Sequence, residues 1–239
     1  MKIILIITTV FAIFLAPSFA IEETNTIKVY SNTYADLVKC GELRPITNQM
    51  NNLLRAGKTD QVKAQIGDLL DSYKRMFDPK LKQYSFSSKE EYADFNQTAT
   101  QPFEWIDWGY AETLHIKASI EISFKDYDDA LETIKEMTNV APCSAFALGE
   151  EGFILSKLKK KDEALIAYQK SYDLGMKYKT QNLYVAKALR GKGSVLIDLN
   201  QLDEAETAFN QSLEIEPNNR IALSELEYIR AIRRKNKNS

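Results

Sequence analysis

The stretch that decides the fold is LRGKGSVLIDLNQLDEAETAFNQSLEIEP, residues 189–217. Gly193 and Ala205 stand twelve residues apart within it, with the acidic entry Leu202-Asp203-Glu204 just before the alanine. The same twelve-residue pair occurs twice upstream, as Gly152 and Ala164 behind Lys161-Asp162-Glu163, and as Ala118 and Ala130 behind Tyr127-Asp128-Asp129. Ala118 to Gly152 is 34 residues, and Gly152 to Gly193 is 41, one 34-residue unit plus a seven-residue insertion. A period of this size marks an array of helical hairpins.

The physical reason lies in the small residues. Two antiparallel helices approach closely only where side chains are small, so each pair marks a contact between the two helices of one hairpin. Apolar residues fall around these pairs at helical spacing: Leu148, Leu155 and Leu158, then Leu165 and Tyr168; Leu189, Leu196 and Leu199, then Phe209 and Leu213. One hairpin cannot bury such a stripe alone, whereas stacked neighbours share a continuous core. Pro142 and Pro217 mark the ends of helices.

The pattern resembles the tetratricopeptide repeat, whose 34-residue unit reads W-x2-L-G-x2-Y, A-x3-F, P. The last repeat matches through Leu189, Gly193, Leu196, Ala205, Phe209 and Pro217, and the middle one through Leu148, Gly152, Leu155, Ala164 and Tyr168. The first matches through Leu114, Ala118, Ala130, Ile134 and Pro142, with Glu121 at a usually aromatic position. None carries the Trp, and Met176 stands where the middle repeat expects Pro. The resemblance implies an all-α solenoid of three repeats over residues 102–219, closed by a C-terminal helix and basic tail over 220–239. In the closing helix Ile221, Leu223, Leu226, Ile229 and Ile232 are expected to face the array.

The resemblance further implies that the first helix of each repeat lines a concave groove. Carried over position by position, the face gives Glu112, His115, Ser119 and Ile122 in the first repeat. The second gives Phe146, Gly149, Phe153, Ser156 and Lys157; the third gives Lys187, Arg190, Ser194, Ile197 and Asp198. Such a groove is acidic at one end, aromatic in the middle and basic at the other, which suits an extended peptide carrying a carboxylate for Lys187 and Arg190.

Residues 35–101 read as an N-terminal helical segment. A helix over Leu43–Leu54 breaks at Gly57. A second, capped by Thr59, carries Val62, Ile66, Leu69, Leu70, Tyr73 and Met76 and stops before Pro79, making a degenerate hairpin. Leu81–Phe86 reads as an irregular, extended link. Ser87-x-x-Glu90 reads as a capping box opening a short helix to Phe95, with a loop over Asn96–Gln101. Pro102 opens a helix running to Phe124. Within it, Phe103, Trp105, Trp108 and Tyr110 form an aromatic cluster suited to packing a junction, or to anchoring a ligand or a second copy.

Residues 1–20 have the form of an export signal: Lys2, an apolar run from Ile3 to Leu15, then Ser18-Phe19-Ala20. Cleavage is expected after Ala20, leaving a flexible segment over 21–34 and a chain that is periplasmic in a Gram-negative bacterium and otherwise secreted. Ile21 in place of Cys argues against a lipoprotein. Asn96-Gln97-Thr98 and Asn210-Gln211-Ser212 are sequons for a eukaryotic secretory pathway. Cys40 and Cys143 are an even pair in an oxidising compartment, so one disulfide is expected, with two separate buried thiols the alternative.

Removing the signal leaves 30 basic and 33 acidic residues, a net of −3, with no basic field for nucleic acid. No second stretch is long and apolar enough for a stable membrane insertion. His115 is the single histidine, without the partners of a metal or catalytic site. Of the acidic pairs Asp128-Asp129, Glu150-Glu151 and Asp203-Glu204, two recur at one repeat position, at helix N-termini, where negative charge is favoured. No cofactor or metal is expected. The reading is a non-enzymatic groove-binding protein; a self-assembling module and an accessory subunit of a cell-envelope enzyme are the alternatives.

Overall fold

The computed structural model describes residues 37–178 and 182–237. The signal, the flexible segment 21–34 and part of the insertion therefore lie outside the described residues. A short strand β1 (Val38–Lys39) leads through a single 3-10 turn into α1 (Arg44–Arg55) and α2 (Thr59–Arg75). Strand β2 (Lys82–Ser85), α3 (Lys89–Thr98) and strand β3 (Phe103–Ile106) follow. Then come three hairpins: α4 (Trp108–Phe124) with α5 (Tyr127–Val140), α6 (Ala145–Lys157) with α7 (Lys161–Lys177), and α8 (Asn182–Asp198) with α9 (Leu202–Ile215). Helix α10 (Arg220–Lys237) closes the chain.

The small pairs do the packing their spacing implies. Ala118, Ala130, Ala164 and Ala205 are fully buried. A methyl group added at Gly152 would sit 2.9 Å from the ring of Tyr168, and one at Gly193 would sit 2.7 Å from that of Phe209. Each glycine thus seats the aromatic residue of its partner helix, and the hairpin closes by one ring thickness.

The hairpins share a turn. Lys125, Lys159 and Asn200 each adopt a left-handed backbone, with φ of 65°, 63° and 61°. The next residue donates its N–H back to the carbonyl five residues earlier: Asp126 to Glu121, Lys160 to Leu155 and Gln201 to Leu196, each at 2.9 Å. This is the Schellman closure of a helix C-terminus. The α1–α2 turn repeats it, with Gly57 at φ 73° and Lys58 donating to Leu53 at 3.0 Å. In that register Met50 and Val62, both buried, stand where later hairpins have small residues. The pair α1–α2 packs on α4 and is therefore a hairpin of the same construction with a wider waist. Thr59 is its first helical residue rather than its cap, since Lys58 holds that position without a side-chain bond.

Residues 76–107 form an excursion between α2 and α4. Strands β1, β3 and β2 make a small parallel sheet in that order, with Tyr84 beside Trp105 and Val38 on its other side. The irregular link expected at Leu81–Phe86 is therefore strand β2. The helix expected from Pro102 starts instead at Trp108, because Phe103–Ile106 pairs with both neighbouring strands; Asp107 caps it, accepting the Gly109 N–H at 2.8 Å. The capping box is displaced by one residue. Ser88 caps α3 by accepting from the Glu91 N–H, and Glu91 reaches back to the Ser87 N–H at 2.8 Å. Helix α3 then runs past Phe95 to Thr98, so the loop begins later than expected.

Phe103, Trp105 and Tyr110 are buried and Trp108 is half-buried, so the aromatic cluster packs a junction. Trp105 stacks on Tyr92 at 4.4 Å, and Phe86, Phe103 and Tyr178 complete the same core. Cys143 belongs to this core and Cys40 to the main one; they are two separate buried thiols, which corrects the expected disulfide. Asn96 is 3% exposed, so its sequon is inaccessible in the folded chain.

The insertion lengthens helices. Helix α7 runs thirteen residues past Ala164, where α5 and α9 run ten past their alanines. Helix α8 starts eleven residues before Gly193, where α6 starts seven before Gly152. Three extra residues and four account for the seven. Leu174, at the end of the regular length of α7, packs on the aromatic core, and Tyr178, just past the added turn, packs there too. At the other end, α10 covers Leu196, Ala205 and Phe209 with Ala222, Leu226 and Ile229. The stripe is thus narrower than expected, with Ile221 and Leu223 exposed. Among the described residues no helix is long and apolar enough to cross a membrane.

Candidate binding groove

Helices α6 and α8 lie side by side, each the first of its hairpin, and an open cavity of about 560 Å³ runs between them. Its floor is Tyr168, seated against Gly152 and Gly191, so the small residues that close the hairpin also set the depth of the groove. Phe146, Phe153 and Lys157 come from the α6 wall and Lys187 and Arg190 from the α8 wall. Gly149, Ser156, Ser194 and Asp198 also line it. The structure therefore brings together nine of the fourteen groove positions read from the sequence.

The walls are aromatic and their free ends cationic. Phe146 lies 5.2 Å from Tyr184 across the groove. The Lys157 ammonium stands 5.0 Å over the Phe153 ring, and that of Lys187 stands 5.6 Å over Tyr184. Neither lysine has an ion-pair partner within 4 Å among the described residues. Arg190 does: its guanidinium pairs with Glu216 in the link before α10, and its side chain is 11% exposed. Arg190 thus braces α8 against that link rather than presenting a charge, which corrects its assignment as a carboxylate anchor.

Glu112, His115, Ser119, Ile122 and Ile197 lie outside its lining. Glu112 accepts from Arg44 at 3.3 Å and from Asn51, so α1 neutralises the acidic end that the sequence suggested. Arg44 also donates to the helix cap Asp107 at 2.7 Å. The N-terminal hairpin packs on α4 and pairs Glu112, and the open cavity lies between α6 and α8. His115 stacks edge-on against Phe146 at 4.6 Å, behind the groove wall. Burial pushes its pKa from 6.5 down to about 4, assisted by the Lys187 charge, so it is a neutral packing ring at neutral pH.

Tyr184, Tyr168 and Glu150 were missed as groove residues. Tyr184 sits in the turn that the insertion adds to α8, where repeat register gives no guide. Tyr168 carries the repeat's packing aromatic and doubles as the floor. Glu150 reads in sequence as half of an acidic pair, yet it lies mid-helix on α6 and lines the groove. Burial raises its carboxyl pKa and the Lys187 charge lowers it in part. Among the described residues no group of three His, Cys, Asp or Glu side chains is placed to hold a metal ion.

Comparison with solved structures places the architecture. The crystal structure of PilW, described as a widely conserved type IV pilus biogenesis factor, superposes with a TM-score of 0.59 at 20% identity, covering 81% of this chain and 71% of that one. That likeness is one of fold. The first TPR domain of human RPAP3 is 25% identical with a TM-score of 0.48, covering 54% of this chain and 96% of that one. A structure of the first TPR of Spaghetti (RPAP3), bound to the HSP90 peptide SRMEEVD, is 24% identical with a TM-score of 0.46, covering 51% and 91%. Comparison with curated proteins gives no match. The family model of the tetratricopeptide repeat matches residues 143–217, from Cys143 ahead of α6 to Pro217 after α9, and over that stretch the chain is similar to a tetratricopeptide repeat array.

Proposed function

We propose that this chain is a non-enzymatic binding protein that holds an extended segment of a partner protein in the groove between α6 and α8. One observation carries the reading: Lys157 and Lys187, both without ion-pair partners among the described residues, stand over aromatic rings on opposite walls of one open cavity. Cations held over rings keep their charge available to a ligand while their stems cover apolar surface. Carboxylates of the partner meet the lysines, and an apolar side chain fills the space between Phe146 and Phe153. The self-assembly alternative has less to work with, since the aromatic cluster it needed is interior.

Capture from an extract of the source cell tests the proposal. A partner held by the wild type is expected to be lost with Lys157→Glu/Lys187→Glu and weakened with Phe153→Ala. Capture indifferent to both variants contradicts the groove as the site.

The proposal includes export, supported by the signal-like residues 1–20. N-terminal sequencing of the cellular protein is expected to begin at Ile21; a start at Met1 contradicts it.

A further inference from the structure

Two carboxylates line the groove, and they differ in setting. Asp198 is exposed at the far end of α8. Glu150 is partly buried on the α6 wall, one turn past Phe146 and one before Phe153. It makes no hydrogen bond or ion pair among the described residues. Its charge reaches the Tyr184 hydroxyl, whose pKa burial and Glu150 both raise. Lys187 acts on it from α8 without closing to an ion pair.

A carboxylate on the wall of an open cavity, with no hydrogen-bond donor of its own among the described residues, keeps its negative charge available to a ligand. Lysines on the walls invite acidic ligands, but a purely acidic segment lying along the groove sets like charge against Glu150, which is repulsive. A cation placed there pairs with the carboxylate instead. The groove therefore carries both signs, with positive charge at Lys157 and Lys187 and negative charge at Glu150 on the α6 wall.

Resting on the groove reading above, we propose that Glu150 is a specificity-determining residue, and that the segment bound is a mixed-charge peptide of a partner protein. Its carboxylates meet Lys157 and Lys187, and its lysine, arginine or amino terminus meets Glu150 on the α6 wall.

Selection of a random peptide library on the immobilised protein tests this. The wild type is expected to enrich peptides holding acidic residues together with a lysine or arginine. Glu150→Gln, nearly the same shape, is expected to keep the acidic preference and lose the basic one. A synthetic peptide from the wild-type pool is expected to bind it roughly tenfold more weakly. Acid-only enrichment on the wild type, or an unchanged basic preference on Glu150→Gln, overturns the role of Glu150 while leaving the groove reading intact. Enrichment of sequences matching residues 21–36 overturns the assignment to a partner. Absence of any enrichment that Lys157→Glu/Lys187→Glu abolishes overturns the groove reading itself and this inference with it.

Discussion

At Gly193 a single hydrogen in place of a methyl group decides whether the last hairpin closes, because the Phe209 ring occupies the space a side chain would need. Gly67, on the exposed side of α2, has nothing within 4 Å of a would-be methyl group. The same substitution therefore has opposite signs. Gly193→Ala is expected to lower stability by roughly 1–3 kcal/mol through overpacking. Gly67→Ala is expected to raise it by roughly 0.5–1 kcal/mol through helix propensity. Urea unfolding midpoints read both; equal effects would show that the glycine is not a packing requirement. His115 makes a second residue-scale prediction. Its pKa is about 4 in the folded chain against 6.5 unfolded, so the unfolded state takes up the proton first as pH falls. Stability is undiminished above about 6.5 and is lost between about 6.5 and 4, by roughly 2–3 kcal/mol. His115→Phe is expected to flatten that part of the profile; an unchanged slope would assign the loss to other groups.

Among the elements, the insertion was legible as a length and not as a contact. Subtracting 34 from 41 gives seven residues, but nothing local says that they extend α7 and α8 by about a turn or that Tyr178 reaches the aromatic core of the excursion. Regular repeats were readable because each position answers to a neighbour one period away. The excursion has no such partner, so Phe103–Ile106 passed for the start of a helix, and the displaced cap at Ser88 left α3 one residue out of register. The N-terminal hairpin shows the converse. Its sequence lacks the small pair, yet its turn at Gly57 and Lys58 repeats the turn of every later hairpin. Tyr178→Ala is expected to speed hydrogen exchange in β2, α3 and β3 while leaving α9 and α10 unchanged. Uniform acceleration along the chain would mean that the added turn supports the whole array rather than docking one module.

Over the whole molecule, the open part of the groove is the channel between α6 and α8, while Arg44 and Asn51 pair Glu112 at the first repeat and α10 covers the last hairpin. The sequence located that channel through Phe146, Phe153, Lys157 and Lys187, because groove positions follow from repeat register alone. It misplaced Arg190, whose partner Glu216 lies 26 residues away, a tertiary pairing that register cannot show. The two thiols were likewise beyond its reach, since an even cysteine count says nothing of which core each joins. The most direct test of the groove is a photo-crosslinking side chain placed at Ser194, which lines the channel, beside a control at Glu132, exposed on α5. A partner adduct is expected at Ser194, absent at Glu132 and lost when Lys157 and Lys187 are both reversed to glutamate. An adduct at Glu132 with none at Ser194 would contradict the groove as the binding surface.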